Sequence, residues 1–319
     1  MPHAETSERS STSQTELALR AQRGDWKAIT ERVTQKECRE LPHQVPRRIL
    51  FFGVGSSLHV AHLSAWALRR DRTRVRIPIV AVSSRAVGED FIPQKGDWAI
   101  GISHRGRTEA TSQALDICAR EGAFCFQVSG GDAPRMPGAH FYLETVEQEV
   151  VEPHTRSVTG AICAITSLLL GNRALEEWEA IRSMGDPSLE SCLEIFERVS
   201  APNVFVGEWE GEWVAREAAL KFMEMARWPT RVYGTEEFFH GPRQAGIGPA
   251  SEVEPALVNR VWAVEHASDT RARELRAPRG FSFLGTTPLS FMPKLVELQW
   301  MALALALKRG INPDDLGKA

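Results

Sequence analysis

Short apolar runs alternate with stretches of helical period in the first half of the chain. The run 48–52 reads as a strand that stops at Gly53, and a stretch of helical period then extends through Arg70. Further strand-like runs follow at 79–82, 98–102, 124–128 and 141–143, with a helical pattern over 107–121. This alternation predicts a parallel sheet with helices on both faces.

The same pattern restarts in the second half. After an apolar helix ending near Leu170 and a charged, helix-forming connector over 173–198, the run 203–206 ends at Gly207. A helix over 211–227 follows. Gly207 lies 154 residues after Gly53, about half the chain, which indicates an internal duplication.

We therefore predict two α/β/α domains of the flavodoxin-like, parallel-sheet type. The expected division is a disordered tail plus N-terminal helix over 1–44, a first domain over 45–190 and a second over 191–319. Beyond His240 the pattern weakens, with one strand candidate at 257–264 before a closing helix near 293–309.

Composition excludes several classes of protein. With 43% hydrophobic and 25% charged residues, the 319-residue chain is typical of a folded, water-soluble protein. A net charge of −3 lacks the positive field of a nonspecific nucleic-acid binder. The five cysteines show no C-x-x-C spacing, which argues against a disulfide framework and a zinc module. Because this cysteine usage does not suit a disulfide framework, we expect a cytoplasmic protein. The apolar runs are too short to span a membrane.

The turn over 53–57 follows a strand and opens a helix, so its N–H groups and the hydroxyls of Ser56 and Ser57 could hold an anion. The alternative is a tight turn with a serine helix cap. A dinucleotide site is not expected, because Leu58 replaces the third glycine of G-x-G-x-x-G and no acid ends the second strand. We expect no cofactor.

The loop over 103–108 repeats this arrangement one unit later. Hydroxyls at Ser103 and Thr108, free N–H groups and the two guanidinium groups of Arg105 and Arg107 would favour a phosphate or carboxylate. We include His104 and Arg105 among the binding candidates. The alternative is that arginines at a helix start extend into solvent, because they oppose the helix dipole.

Glu217, Lys221 and Glu224 share one face of the second-half helix, at spacings i, i+4 and i+7. Apolar neighbours would bury much of this helix, and a carboxylate held there is a candidate general base with a raised pKa. A surface ladder of ion pairs is the alternative. We count Glu217 and Lys221 as candidate substrate-binding residues.

His240 follows Glu237 by three residues, close enough for the acid to orient the imidazole as a proton carrier. A structural role is the alternative, since a lone histidine is more often structural. We predict no metal site, because His59 and His62 have no carboxylate or cysteine at a partner spacing.

Taken together, these motifs resemble the double sugar-isomerase (SIS) family, which includes the isomerase region of glucosamine-6-phosphate synthase and its deaminase and deglycase relatives. The resemblance rests on Gly55-Ser56-Ser57, the loop over 103–108, the helix segment 216–224 and the segment 237–242. It covers about 48–318.

The resemblance implies roles for individual residues. In this family, hydroxyls of the two Ser/Thr loops cradle the sugar phosphate, which points to Ser56, Ser57, Ser103 and Thr108. The resemblance adds Thr155, from the segment that opens a later helix. The family's enolisation base corresponds to Glu224, its ring-opening histidine to His240 and its Schiff-base lysine to Lys318.

The expected activity is that of an aldose–ketose isomerase-type enzyme on a phosphorylated amino sugar or sugar–amine conjugate, in the deaminase or deglycase direction. A simple phosphosugar isomerase and a noncatalytic phosphosugar-binding regulator are the alternatives. The first cysteine is Cys38, so glutamine hydrolysis by an N-terminal cysteine is not expected. We expect a sugar-phosphate ligand, a homodimer, and neither nucleic-acid nor membrane partners.

Overall fold

The first half of the chain forms a five-stranded parallel sheet. The structure, a computed structural model, describes residues 12–71, 76–242, 260–266, 271, 279–283 and 287–315. The strands are β1 (Ile49–Gly53), β2 (Ile79–Ser83), β3 (Trp98–Ile102), β4 (Phe124–Ser129) and β5 (Phe141–Glu144), in the order β2-β1-β3-β4-β5. All five lie where the apolar runs predict them.

The second half forms a four-stranded parallel sheet. Its strands are β6 (Val204–Gly207), β7 (Arg231–Gly234), β8 (Val261–His266) and β9 (Arg279–Phe283), in the order β7-β6-β8-β9. This order reproduces β2-β1-β3-β4 of the first sheet. The repeated topology confirms the predicted duplicated α/β architecture.

Nine helices accompany these sheets in the described part of the chain. They are α1 (Gln14–Gln35), α2 (Ser56–Arg70), α3 (Glu109–Arg120), α4 (Arg156–Leu170), α5 (Asn172–Ser183), α6 (Leu189–Arg198), α7 (Glu210–Ala226), α8 (Thr235–His240) and α9 (Met292–Lys308). The predicted connector over 173–198 is thus two helices. The predicted disordered tail falls largely on residues 1–11, outside the described residues.

The helices cover both faces of the first sheet because alternate strand residues point in opposite directions. Ile49 and Phe51 of β1 pack into a core with α1, α2 and α4, whereas Leu50 and Phe52 pack with α3. Across the halves, α2 packs directly on α7. None of the described helices is both long enough and apolar enough to cross a membrane.

The two halves also share the turn that leads from the first strand into the helix. A Cβ at Gly53 would lie 2.5 Å from the carbonyl carbon of Ser57, and one at Gly207 would lie 2.6 Å from that of Gly211. Strand and helix therefore approach so closely that only glycine fits at either strand end. Gly53 and Gly207, which are 154 residues apart in the sequence, thus occupy equivalent positions in the two halves.

Candidate active site

Two strand-to-helix turns lie side by side at one edge of the first sheet, because β1 and β3 are neighbours. The β1 turn leads into α2 at Ser56. In the β3 turn, the hydroxyls of Ser103 and Thr108 lie 3.0 Å apart, and Gly106 adopts a positive φ of 64° that favours glycine. The predicted hydroxyl-bearing turns are therefore adjacent in space.

A small cleft adjoins these turns. Ser57, His104 and His154 contribute polar groups to its wall, whereas Ile102 and Val128 contribute apolar surface. A mixed lining of this kind is typical of small-molecule sites, in which a few polar groups fix the ligand's orientation.

The Ser56 hydroxyl is engaged by the second half of the chain. It donates to Glu217 Oε1 at 3.1 Å and accepts from Lys221 Nζ at 3.2 Å. No side-chain hydrogen bond of Ser57 is found among the described residues. Ser57 is thus the more available of the two hydroxyls for a ligand in the cleft.

Glu217, Lys221 and Glu224 form one connected charged cluster on α7. The Lys221 ammonium lies 3.3 Å from Glu217 Oε1 and 2.7 Å from Glu224 Oε2. The Lys221 and Glu217 side chains are 1% and 0% exposed, whereas Glu224 retains 27%. The alternative of a surface ladder is therefore wrong, because α2 packs over this face of α7.

The cluster sets the protonation of its members. Burial by itself raises the pKa of Glu217, but Lys221 and the hydrogen bond from His59 outweigh it and bring that pKa to about 2. Burial disfavours the Lys221 ammonium, yet Glu217 and Glu224 together raise its pKa. Burial raises the pKa of Glu224, and Lys221 only partly opposes this effect. Glu224 is thus a partly exposed carboxylate of increased basicity, as a general base requires.

The cationic residues of the β3 turn differ in their surroundings. Arg105 pairs with Glu152 at 2.7 Å, with both side chains about half exposed, and Arg107 is exposed to solvent. His104 is mostly buried, and its Nε2 accepts a hydrogen bond from the Glu149 N–H at 3.0 Å. Burial lowers the pKa of His104 to about 4, so the ring is neutral near neutral pH.

Comparisons with known proteins support the sequence resemblance. No protein-family model matches the chain. A glutamine–fructose-6-phosphate aminotransferase (isomerizing) from Pyrobaculum aerophilum is 25% identical over 310 residues, covering 84% of this chain and 50% of that protein. The chain spans about half the length of the curated relatives it matches.

Solved structures decide the fold. Glucosamine-6-phosphate deaminase from Thermotoga maritima superposes with a TM-score of 0.70 at 17% identity, covering 96% of this chain and 98% of that one. The chain has the double-SIS fold. Tagatose-6-phosphate ketose/aldose isomerase from Escherichia coli superposes equally well, with a TM-score of 0.70 at 15% identity and coverages of 98% and 97%.

The resemblance to the double-SIS family also assigns roles to His240 and Lys318. His240, the last residue of α8, has a side chain that is 82% exposed and lies 3.8 Å from Glu236. Within the described residues, neither a hydrogen bond nor an ion pair joins it to Glu224. Lys318 lies outside the described residues.

Glu149 is a site residue that sequence reasoning missed. Its carboxylate accepts hydrogen bonds from the N–H groups of Thr155 at 3.1 Å, Arg156 at 3.2 Å and Ser157 at 2.8 Å, and so caps α4. The Thr155 hydroxyl also lies 3.4 Å from Glu149 Oε1. Thr155, a predicted phosphate ligand, is therefore fully buried beneath this cap.

The structure also brings His104, Glu149 and His154 together, with ligand atoms within 4.8 Å of one another. The spacing of these residues along the chain gives no metal signature, since they come from two separate loops. However, Glu149 is already used by the α4 N-terminus and His104 Nε2 by a backbone N–H. A cation would have to compete with both, so the arrangement favours helix capping over metal coordination.

Proposed function

We propose that this protein is a sugar-phosphate isomerase-type enzyme that acts on a phosphorylated amino sugar or sugar–amine conjugate. The observation that carries the proposal is Glu224, a partly exposed carboxylate of raised pKa held by a buried ammonium. Ser56 links that ammonium to the cleft between the hydroxyl-bearing turns. The names of the compared proteins, a deaminase and a ketose/aldose isomerase of sugar phosphates, agree with this substrate class.

In the proposed reaction, the β3 turn binds the phosphate, which holds the reacting carbons of the sugar beside α7. Glu224 takes a proton from one of the two carbons C1 and C2 and returns it to the other. The transfer therefore requires no external oxidant or reductant. We assign ring opening to His240. We assign to Lys318 the formation of an imine with the ketose carbonyl, in which the carbonyl oxygen leaves as water. A simple isomerase would need Glu224 but not the imine.

A noncatalytic phosphosugar-binding protein is the second candidate. It is favoured by the position of His240, which is exposed and not bonded to Glu224 within the described residues. Thermal-shift screening of sugar phosphates and aminosugar phosphates identifies the ligand under either proposal. Exchange of the ligand's C2 hydrogen with deuterated solvent then separates them, because a binding protein would catalyse none.

We further propose a homodimer in which His240 of one subunit completes the partner's site. The high exposure of this histidine supports the arrangement, as does the resemblance to a family in which the ring-opening histidine reaches the neighbouring subunit. Sedimentation velocity at micromolar concentration should give a dimer. Observing only monomer in an active preparation would contradict this prediction.

The β3 turn provides a test of phosphate binding. Replacing both Ser103 by Ala and Thr108 by Val removes the two hydroxyls that lie 3.0 Å apart. If each contributes a hydrogen bond to a charged group of about 1.5–3 kcal/mol, affinity for the screened sugar phosphate should fall at least about 100-fold by calorimetry. The change of the exposed Ser183 to Ala on α5 is the control. Equal affinity in parent and double variant would show that the turn is structural.

A further inference from the structure

The sequence pattern assigns no role to His59, yet this residue contacts the charged cluster directly. Its Nδ1 lies 2.6 Å from Glu217 Oε2, and its side chain is only 12% exposed. Because Glu217 is ionised and can only accept, Nδ1 must carry the proton and donate it. The first half thus supplies a donor to a carboxylate of the second half.

Both carboxylate oxygens of Glu217 have hydrogen-bond donors, so the side chain has little freedom to rotate. Oε1 receives the Ser56 hydroxyl and the Lys221 ammonium, whereas Oε2 receives His59. Lys221 in turn has three N–H groups and three partners, namely Glu217, Ser56 and Glu224. A continuous chain of contacts therefore runs from His59 through Glu217 and Lys221 to Glu224.

Aromatic packing holds His59, the first residue in this series of contacts. Trp213 precedes Glu217 by one helical turn of α7, and its ring centroid lies 6.0 Å from that of His59. His62, one turn further along α2, stacks on the same indole at 3.4 Å with an interplanar angle of 8°. The imidazole of His59 is thus packed against Trp213, on the same helix as Glu217.

We propose that His59 is a positioning residue that holds the Lys221 ammonium on Glu224. Without His59, Glu217 Oε2 would be a buried carboxylate oxygen lacking a donor, which is costly. Lys221 Nζ already lies 3.3 Å from Glu217 Oε1 and would move toward the oxygen that has lost its donor. That movement would lengthen the 2.7 Å bond to Glu224 and leave the proposed base less well placed.

Movement of the Lys221 ammonium away from Glu224 should change the pKa of Glu224 in one direction. Lys221 lowers the pKa of Glu224 against the effect of burial, so withdrawal of the ammonium should raise this pKa further. Other charged or titratable groups around the chain are Arg216 on α7, His62 and Arg69 on α2, and Glu152 and His154 before α4. Burial keeps His62 neutral by lowering its pKa to about 4, and none of these groups would replace a donor to Glu217 Oε2.

The test compares His59→Leu, which removes the donor, with His59→Asn, whose amide retains one. In the ligand-free protein, carbon-13 NMR titration should give His59→Leu a Glu224 pKa raised by about one unit, and His59→Asn a value near the parent's. His62→Leu is the matched control on the same helix and indole, and should leave the Glu224 pKa unchanged. Equal values in parent and folded His59→Leu would overturn the proposal.

A kinetic measurement adds a second readout, which rests on the proposed function whereas the titration does not. His59→Leu should lower kcat by about 10–100-fold with KM nearly unchanged, and shift the acidic limb of the rate profile to higher pH. His59→Asn should restore most of the rate. Equal losses in the two variants would point to a merely structural role and contradict the proposal.

If His59→Leu does not fold, the parent protein still provides a test. The Nδ1–H bonded to Glu217 should give a downfield imidazole proton resonance, protected from solvent, near neutral pH. In the folded His59→Asn protein that resonance should vanish while the Glu224 pKa stays near the parent's. A parent His59 that carries its proton on Nε2 instead would overturn the proposal.

Discussion

Replacement of Glu224 by Gln should lower turnover by about 10²–10⁴-fold while leaving the affinity for the sugar phosphate nearly unchanged. Gln keeps the size of the side chain and an oxygen that can accept from Lys221 Nζ, now 2.7 Å from Glu224 Oε2. It lacks the basic carboxylate. Binding by calorimetry and exchange of the C2 hydrogen in deuterated solvent measure the two properties separately.

The structure also indicates the proper control. Glu217→Gln is unsuitable because Glu217 is completely buried. Glu212 lies on the same helix, is 23% exposed and pairs with Arg216 at 2.6 Å, so Glu212→Gln matches the exposure and pairing of Glu224. Its turnover should equal the parent's. Exchange at the parent rate in Glu224→Gln would instead exclude Glu224 as the base.

The parent protein should also lose the proposed activity on acidification at a higher pH than a protein with an ordinary glutamate base would. As the proposed base, Glu224 acts only when deprotonated, and burial raises its pKa. The acidic limb of kcat should therefore lie above the normal range for glutamate and disappear in Glu224→Gln.

Replacement of Lys221 by Met should destabilise the fold by about 3–5 kcal/mol, because it leaves the buried Glu217 carboxylate without its cation. The free energy of unfolding in urea measures the loss. Lys27→Met is the matched control, since Lys27 pairs with Glu31 at the same four-residue separation but both side chains are more than half exposed. That substitution should cost at most about 0.5 kcal/mol.

A double variant separates the charge effect from packing. Glu217→Gln combined with Lys221→Met removes both buried charges, so part of the stability lost in Lys221→Met should return. The double variant should also lose less stability than the parent on acidification, because it lacks the Glu217 carboxylate. In the parent, the depressed pKa of Glu217 contributes stability above the unfolded-state pKa, which is lost as pH falls toward about 2. Additive losses would mean that the pair is not coupled.

Most of the first sheet could be predicted because both faces of its strands are covered, so each strand is a short, continuous apolar run ending in a turn. The sequence pattern does not predict the edge strand β7, because this strand is less buried. Arg231 is exposed and Val232 and Tyr233 are only partly buried, so no apolar run marks it. The neighbouring central strand β6 is buried throughout, and its position was predicted.

In the candidate site, too, only the contacts between residues close together in the sequence could be predicted. Contacts within one helix follow from spacing, so Glu217, Lys221 and Glu224 could be placed on one face of α7. The bond from His59 to Glu217 joins residues 158 positions apart, and no local pattern encodes it. The role of Glu149 was equally hidden, because its partners are backbone N–H groups that any residue type provides.

The turn before α7 carries a tryptophan at the position equivalent to a glycine. Gly55 has φ 59° and ψ −133°, and Trp209 has φ 51° and ψ −122°, a conformation that costs a residue with a side chain about 1–3 kcal/mol. The Trp209 ring stacks on Trp66 of α2 at 6.3 Å, which offsets part of that cost. The two halves thus share one backbone conformation at this turn but not the residue that adopts it. At Gly55 the turn has no side chain. At Trp209 the same turn supplies an indole that joins the second half to α2 of the first.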